Sequence, residues 1–268
     1  MKKTLASIIY VVTLAMSTTA FAQTFTHDGD KSQCDISVNG DITFEQGRML
    51  ITQQNSSVIT LTETGKVWLD GQAIKLSTEE TQYVTAYYQE VEEIIPKAMQ
   101  LASDSIDIAR VALVKVFGGL LGEDSRFVNN LDNTLESIRK ELASRVYPES
   151  GVVVFGESLF SGENGFQDYV NNEIDVAVDT LMEQGMGELL MFVGKSMFSG
   201  NTDFSNLEQQ IDNIANNFEQ EIEQQAVQIE AAGHAICQSL LDVDAAEQQL
   251  QQIKPLQTFD VVQVKTFI

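Results

Sequence analysis

Apolar and polar positions alternate with two different periods along this chain, and the change of period divides it. Between residues 33 and 76 the apolar residues fall in short runs separated by turn signals: Asp35–Val38, Ile42–Phe44, Met49–Thr52, Val58–Leu61, Lys66–Leu69 and Ala73–Leu76. Short β-branched runs bounded by Gly, Asn and Asp read as strands. Asn39-Gly40, Thr62-Glu63-Thr64-Gly65 and Asp70-Gly71 supply the turns, Asp-Gly being a strong two-residue hairpin signal. A small antiparallel β-region is predicted over 23–76.

From Ser77 the period becomes helical. Ser77 with Glu80 three residues on forms a capping box. Apolar residues then recur at three and four from Val84 through Tyr87, Tyr88, Val91, Ile94, Ile95 and Leu101 to Phe117. Pro96 interrupts this pattern, so a kink or break is expected there. Gly118, Gly119 and Gly122 end the segment. A second helix is predicted over about 124–146, stopped by Pro148 and Gly151, followed by a short strand at Val152–Phe155. A third helix is expected over about Phe166–Met197. The last and longest, about Phe204–Ile253, carries a coiled-coil-like seam that includes Phe218, Ile222, Ile236, Leu240, Val243 and Leu250. Its Gln- and Glu-rich remainder reads as a solvated face. Residues 256–268 either add a terminal strand to the N-terminal β-region or stay unordered. The expected fold class is α+β: long helices, bundle- or coiled-coil-like, over 77–255, with the small β-region before them and a tail or strand at 256–268.

The N-terminus alters the picture of compartment. Lys2 and Lys3 precede a 12-residue apolar run, Leu5–Met16, and Ala20-Phe21-Ala22 forms an A-x-A cleavage site. Residues 1–22 therefore read as a cleaved signal peptide. The run is too short to span a bilayer, and no later segment is apolar for 18 residues, so no membrane span is expected after cleavage. A short, Lys-initiated signal points to bacterial export and a periplasmic location. In that oxidising compartment Cys34 and Cys237 are expected to form a disulfide closing a loop of about 200 residues, worth about 5 kcal/mol in the chain-entropy model. A pair of buried free thiols is the alternative.

Charge removes several functions. There are 16 Lys+Arg against 39 Asp+Glu, a net charge of −23, and signal removal takes two more lysines. Nucleic acid is excluded as a partner, since phosphate contacts need Lys and Arg. With 43% hydrophobic residues the chain is no disordered acidic tail.

In this order the chain resembles the YggN-like family of periplasmic proteins of gammaproteobacteria, a family without an assigned function. The resemblance rests on the signal peptide, Cys34, the strand–Asp70-Gly71–strand unit, the helix bearing Ala109-Arg110-Val111-Ala112-Leu113-Val114-Lys115, the Gly185-Met186-Gly187-Glu188 segment and Cys237. It covers most of residues 34–240. It implies a compartment and no chemistry, so no catalytic residue carries over.

Catalytic motifs fail one by one. Leu189–Ser196 ends like a P-loop but has Leu where its first Gly belongs. Ser137-Ile138-Arg139-Lys140 matches S-x-x-K without the accompanying K-T-G. Gly156-Glu157-Ser158-Leu159-Phe160 lacks the final Gly of a nucleophile elbow. His27-Asp28-Gly29-Asp30 fails the EF-hand spacing. No cofactor, metal or catalytic residue is expected. Arg110, in an apolar stretch of an Arg-poor chain, reads as the partner of Asp107 or a buried acid, with an anionic ligand as the alternative.

The reading that remains is a non-catalytic, chaperone-like binding protein for an envelope protein or apolar ligand. Its candidate surface is the Met- and Phe-rich stretch containing Met182, Met186, Met191, Phe192 and Met197. The alternatives are an envelope hydrolase using paired carboxylates and an assembly subunit dimerising through its last helix.

Overall fold

In a computed structural model, which describes residues 33–53, 56–161, 164–180, 182, 187 and 205–267, the chain is α+β, with eight strands and five α-helices among those residues. Six strands form one antiparallel sheet in the order β6-β5-β4-β3-β2-β7: β2 (Asp41–Glu45), β3 (Arg48–Thr52), β4 (Val58–Thr62), β5 (Val67–Leu69), β6 (Gln72–Ile74) and β7 (Val153–Gly156). The period-two pattern decides which face is buried. Met49 and Ile51 on β3, Ile59 and Leu61 on β4, and Ile42 on β2 point into the core. Two-residue turns set the register. Gln46-Gly47 and Asp70-Gly71 all have positive φ, the primed-turn geometry that matches strand twist.

The helices are α1 (Thr78–Leu121), α2 (Arg126–Val146), α3 (Glu157–Phe160), α4 (Phe166–Thr180) and α5 (Ser205–Leu250). The capping box at the start of α1 is formed: Ser77 Oγ accepts from the Glu80 amide at 3.2 Å, and Glu80 Oε2 accepts from the Ser77 amide at 2.6 Å. One stripe of α1, Val84, Tyr87, Tyr88, Val91, Ile94, Ile95 and Met99, is buried. Of the kink or break expected at Pro96, the break does not occur: α1 continues through the proline. The proline lies on an exposed face, where water can serve the Glu92 carbonyl that loses its amide donor. Ser125 Oγ accepts from the Val128 amide to start α2. The predicted third helix is seen as α4; residues beyond Thr180 up to Met197 fall outside the described residues, apart from 182 and 187.

The C-terminal segment forms a strand. After α5 a short 3-10 turn (Lys254–Leu256) leads into β8 (Val262–Phe267). β8 pairs antiparallel with β1 (Gln33–Val38), Cys34 opposite Thr266 and Val38 opposite Val262. α5 packs along α1, and a single apolar core joins sheet, α1, α5 and the tail residues Phe259, Val261 and Val262.

Two glycines let the chain pass between the sheets. Gly40 links β1 to β2 with φ 122°, and Gly156 ends β7 with φ 147°. The Glu157 amide donates to the Gly40 carbonyl at 3.0 Å. A Cβ on Gly156 would stand 2.3 Å from that carbonyl oxygen. Asp41 completes the crossing by accepting from the Ser158 amide at 2.8 Å, which caps α3 from outside. Gly156→Ala must therefore relieve a backbone clash from a conformation almost reserved for Gly. It is expected to cost about 2–3 kcal/mol, read as a fall in thermal midpoint. Gly71→Ala, with open space around its Cβ, is expected to cost less.

Candidate functional site

The residues singled out in the sequence fall at three separate places. Met182 is 63% exposed, just beyond α4. Met186, Met191, Phe192 and Met197 lie outside the described residues. α4 is held by aromatic contacts at its start: Phe155 edge-on to Phe160, Phe160 edge-on to Phe166, and Phe166 stacked on Tyr169. Arg145 of α2 lies over the Tyr169 ring and donates to the Asn164 carbonyl at 2.7 Å. Beyond this anchored start, none of the α4 side chains is fully buried, and Val176 and Val178 are 61% and 50% exposed.

Arg110 forks onto Asp132 of α2, with Nε to Oδ1 at 2.6 Å and Nη2 to Oδ2 at 3.3 Å. Asp107, the neighbour on its own helix, stands farther off at 3.8 Å, and Glu136 at 3.6 Å. The main partner was hidden in the sequence because it comes from the next helix. Glu136 is shared by Arg139 at 2.7 Å and Lys140 at 3.2 Å. The hydrogen bond from Arg139 is the main force holding its carboxyl down at about 2. The network ties α1 to α2 with the guanidinium fork already filled by a carboxylate. Cys237 is half-buried on α5, and among the described residues no cysteine is free.

A fourth place has no counterpart in the sequence reading. Glu247 of α5 is 1% exposed, although the Glu-rich positions of this helix read as solvated. Its Oε1 accepts from the Val261 amide, its Oε2 from the Val262 amide at 3.2 Å and from the Tyr87 hydroxyl at 3.3 Å. The Tyr87 ring meets Phe259 edge-on at 5.4 Å. Burial lifts the Glu247 pKa to about 7, while the two amides and Tyr87 pull it down and Asp260 pushes it up. Burial also raises Tyr87 well above the ordinary phenol range. One signal was present in the sequence. The seam skips from Val243 to Leu250, and Glu247 fills the inward position four after the one and three before the other.

Next to this polar centre is a small, wholly apolar cavity, lined among others by Val38, Val91, Ile94, Leu240 and Val262. Among the described residues no cluster of His, Cys, Asp or Glu could hold a metal ion, and no helix is long and apolar enough to cross a membrane.

The Arg110 network is a third exposed, so salt should screen it. Arg110→Ala is expected to lower the thermal midpoint in dilute buffer. The deficit should shrink in about 1 M salt, where screening acts over about 3 Å. A deficit that does not change with salt would mean that packing of the side-chain stem, and not charge, holds the two helices.

No curated protein and no solved structure matches the chain. One family model does, over residues 34–262, a span that runs from β1 to the first residue of β8 and so contains both long helices, the six-stranded sheet and Glu247. On that match the chain belongs to the family described as a protein of unknown function, DUF2884.

Proposed function

We propose that this chain is an exported periplasmic protein, freed of residues 1–22, that acts without catalysis as a chaperone-like binder of apolar segments of envelope partners. The observation that carries this reading is the exposure of Val176, Val178 and Met182, at 61%, 50% and 63%, on the approach to the Met- and Phe-rich stretch. Contiguous exposed apolar surface marks interaction sites, and Met adapts its shape to varied partners. The order of signal peptide, β-region, Arg110-bearing helix and two cysteines supports placing the chain with the YggN-like proteins of gammaproteobacteria.

The export reading includes a Cys34–Cys237 disulfide. It is supported by the lack of a free cysteine among the described residues and by the pairing of the Cys34 strand with β8, the strand that follows the Cys237 helix. Such a bridge would tie the first strand to α5. Thiol titration of the unfolded, unreduced protein from a periplasmic extract is expected to find no reactive thiol, and mass analysis to find Gln23 as the first residue. Two free thiols, or an intact Met1, would refute the export reading.

Binding is tested with insulin whose chains are separated by reductant, a probe that aggregates through apolar segments; a Cys34→Ser/Cys237→Ser background keeps the reductant from acting on the binder. The protein is expected to delay this aggregation, and Val176→Ser/Val178→Ser/Met182→Ser in the same background to weaken the delay severalfold. Equal delay by both proteins, or none by either, would sink the proposal.

A further inference from the structure

Glu247 sits where α5, α1 and the lead into β8 meet, and its three donors come from the last two. We propose that Glu247 is a pH-operated latch on the C-terminal strand, holding β8 down in mildly acidic surroundings and loosening it as the medium turns alkaline. The carboxyl is the contact that fixes two consecutive amides, Val261 and Val262, at the root of β8. The titratable and charged groups that face it are Tyr87 from α1 and Asp260 beside β8. Closed, the carboxyl is shut away from water; with β8 lifted, it is hydrated.

Burial disfavours the charged form, so the closed state keeps the proton up to about 7, against 4.5 for the ordinary group. In the protonated form both amides keep an acceptor lone pair on the carboxyl. The sign follows from linkage. The closed state binds the proton more tightly, so its advantage is complete below about 4.5 and is lost as pH rises through about 7. Opening in that window releases one proton from Glu247 to solvent. Asp260, a like charge, pushes in the same direction. Val262 is also a wall of the apolar cavity, so lifting β8 bares Val91, Ile94 and Leu240. This device is independent of the surface at Met182.

Hydrogen exchange at the Val261 and Val262 amides, corrected for the intrinsic pH dependence of exchange, tests it. In the full mature chain, protection is expected to fall roughly a hundredfold between about pH 5 and about pH 8. In Glu247→Gln it should be flat across that range. Flat protection in the unmodified chain, or parallel falls in both, would overturn the latch. Should Glu247→Gln fail to fold, Tyr87→Phe serves. It removes a donor that favours the charged form, so the midpoint must move to higher pH; an unmoved midpoint also overturns the proposal.

Discussion

The apolar stripe of α1 is the surface on which the rest of the molecule is built. Adjacent residues on it face different partners: Tyr88 meets Phe44 of the sheet edge-on, while Tyr87 meets Phe259 and Glu247 of the C-terminal layer. A helix turns 100° per residue, so one stripe about that wide can serve a sheet on one flank and a helix on the other. Each such side chain, taken fully out of water, contributes about 1.5–3 kcal/mol. Val84, Val91, Ile94 and Ile95 extend the contact along three turns. The far half of α1 carries only half-buried apolar side chains for most of its length, and its ties to α2 include the Arg110 fork, the Arg139–Asp107 pair and the Phe117–Phe127 ring contact.

A polar group enters this apolar layer only because its bonds are satisfied. A buried carboxyl without partners would be strongly destabilising. Glu247 has two amides and a hydroxyl, and those amides stand at the point where β8 begins. The side chain thus does for a strand what Ser77 does for a helix: it satisfies backbone groups at an end. Asp41 does the same for α3 across the sheet crossing.

Local chemistry was the part of this fold that could be read in advance. Strand runs, the Asp70-Gly71 turn and the Ser77–Glu80 box depend on residues near one another in sequence, and each formed as its local pattern demands. What escaped depends on residues far apart. Nothing near Val153 says that β7 will join β2, and nothing near Arg110 names Asp132. Glu247 escaped because composition marks a Gln/Glu-rich helix as solvated, and its depth follows from α1 and the tail folding over it. Pro96 shows the converse: a breaking residue in the sequence is tolerated where its missing bond faces water.

The pairing of β1 with β8 sets a condition on the order of folding. β1 lies at the start of the described chain, and among the described residues its one ladder partner ends at residue 267. A chain synthesised from its N-terminus can assemble the β2–β6 meander early, since those strands are local, but β1 must wait for residues 262–267 to emerge. Closing the loop between Val38 and Val262 comes late and slowly. Until then β1 presents an open edge that invites pairing with a neighbouring chain. Loss of the whole of β8, Val262–Phe267, would leave that edge permanently open, turning a folding problem into an aggregation problem.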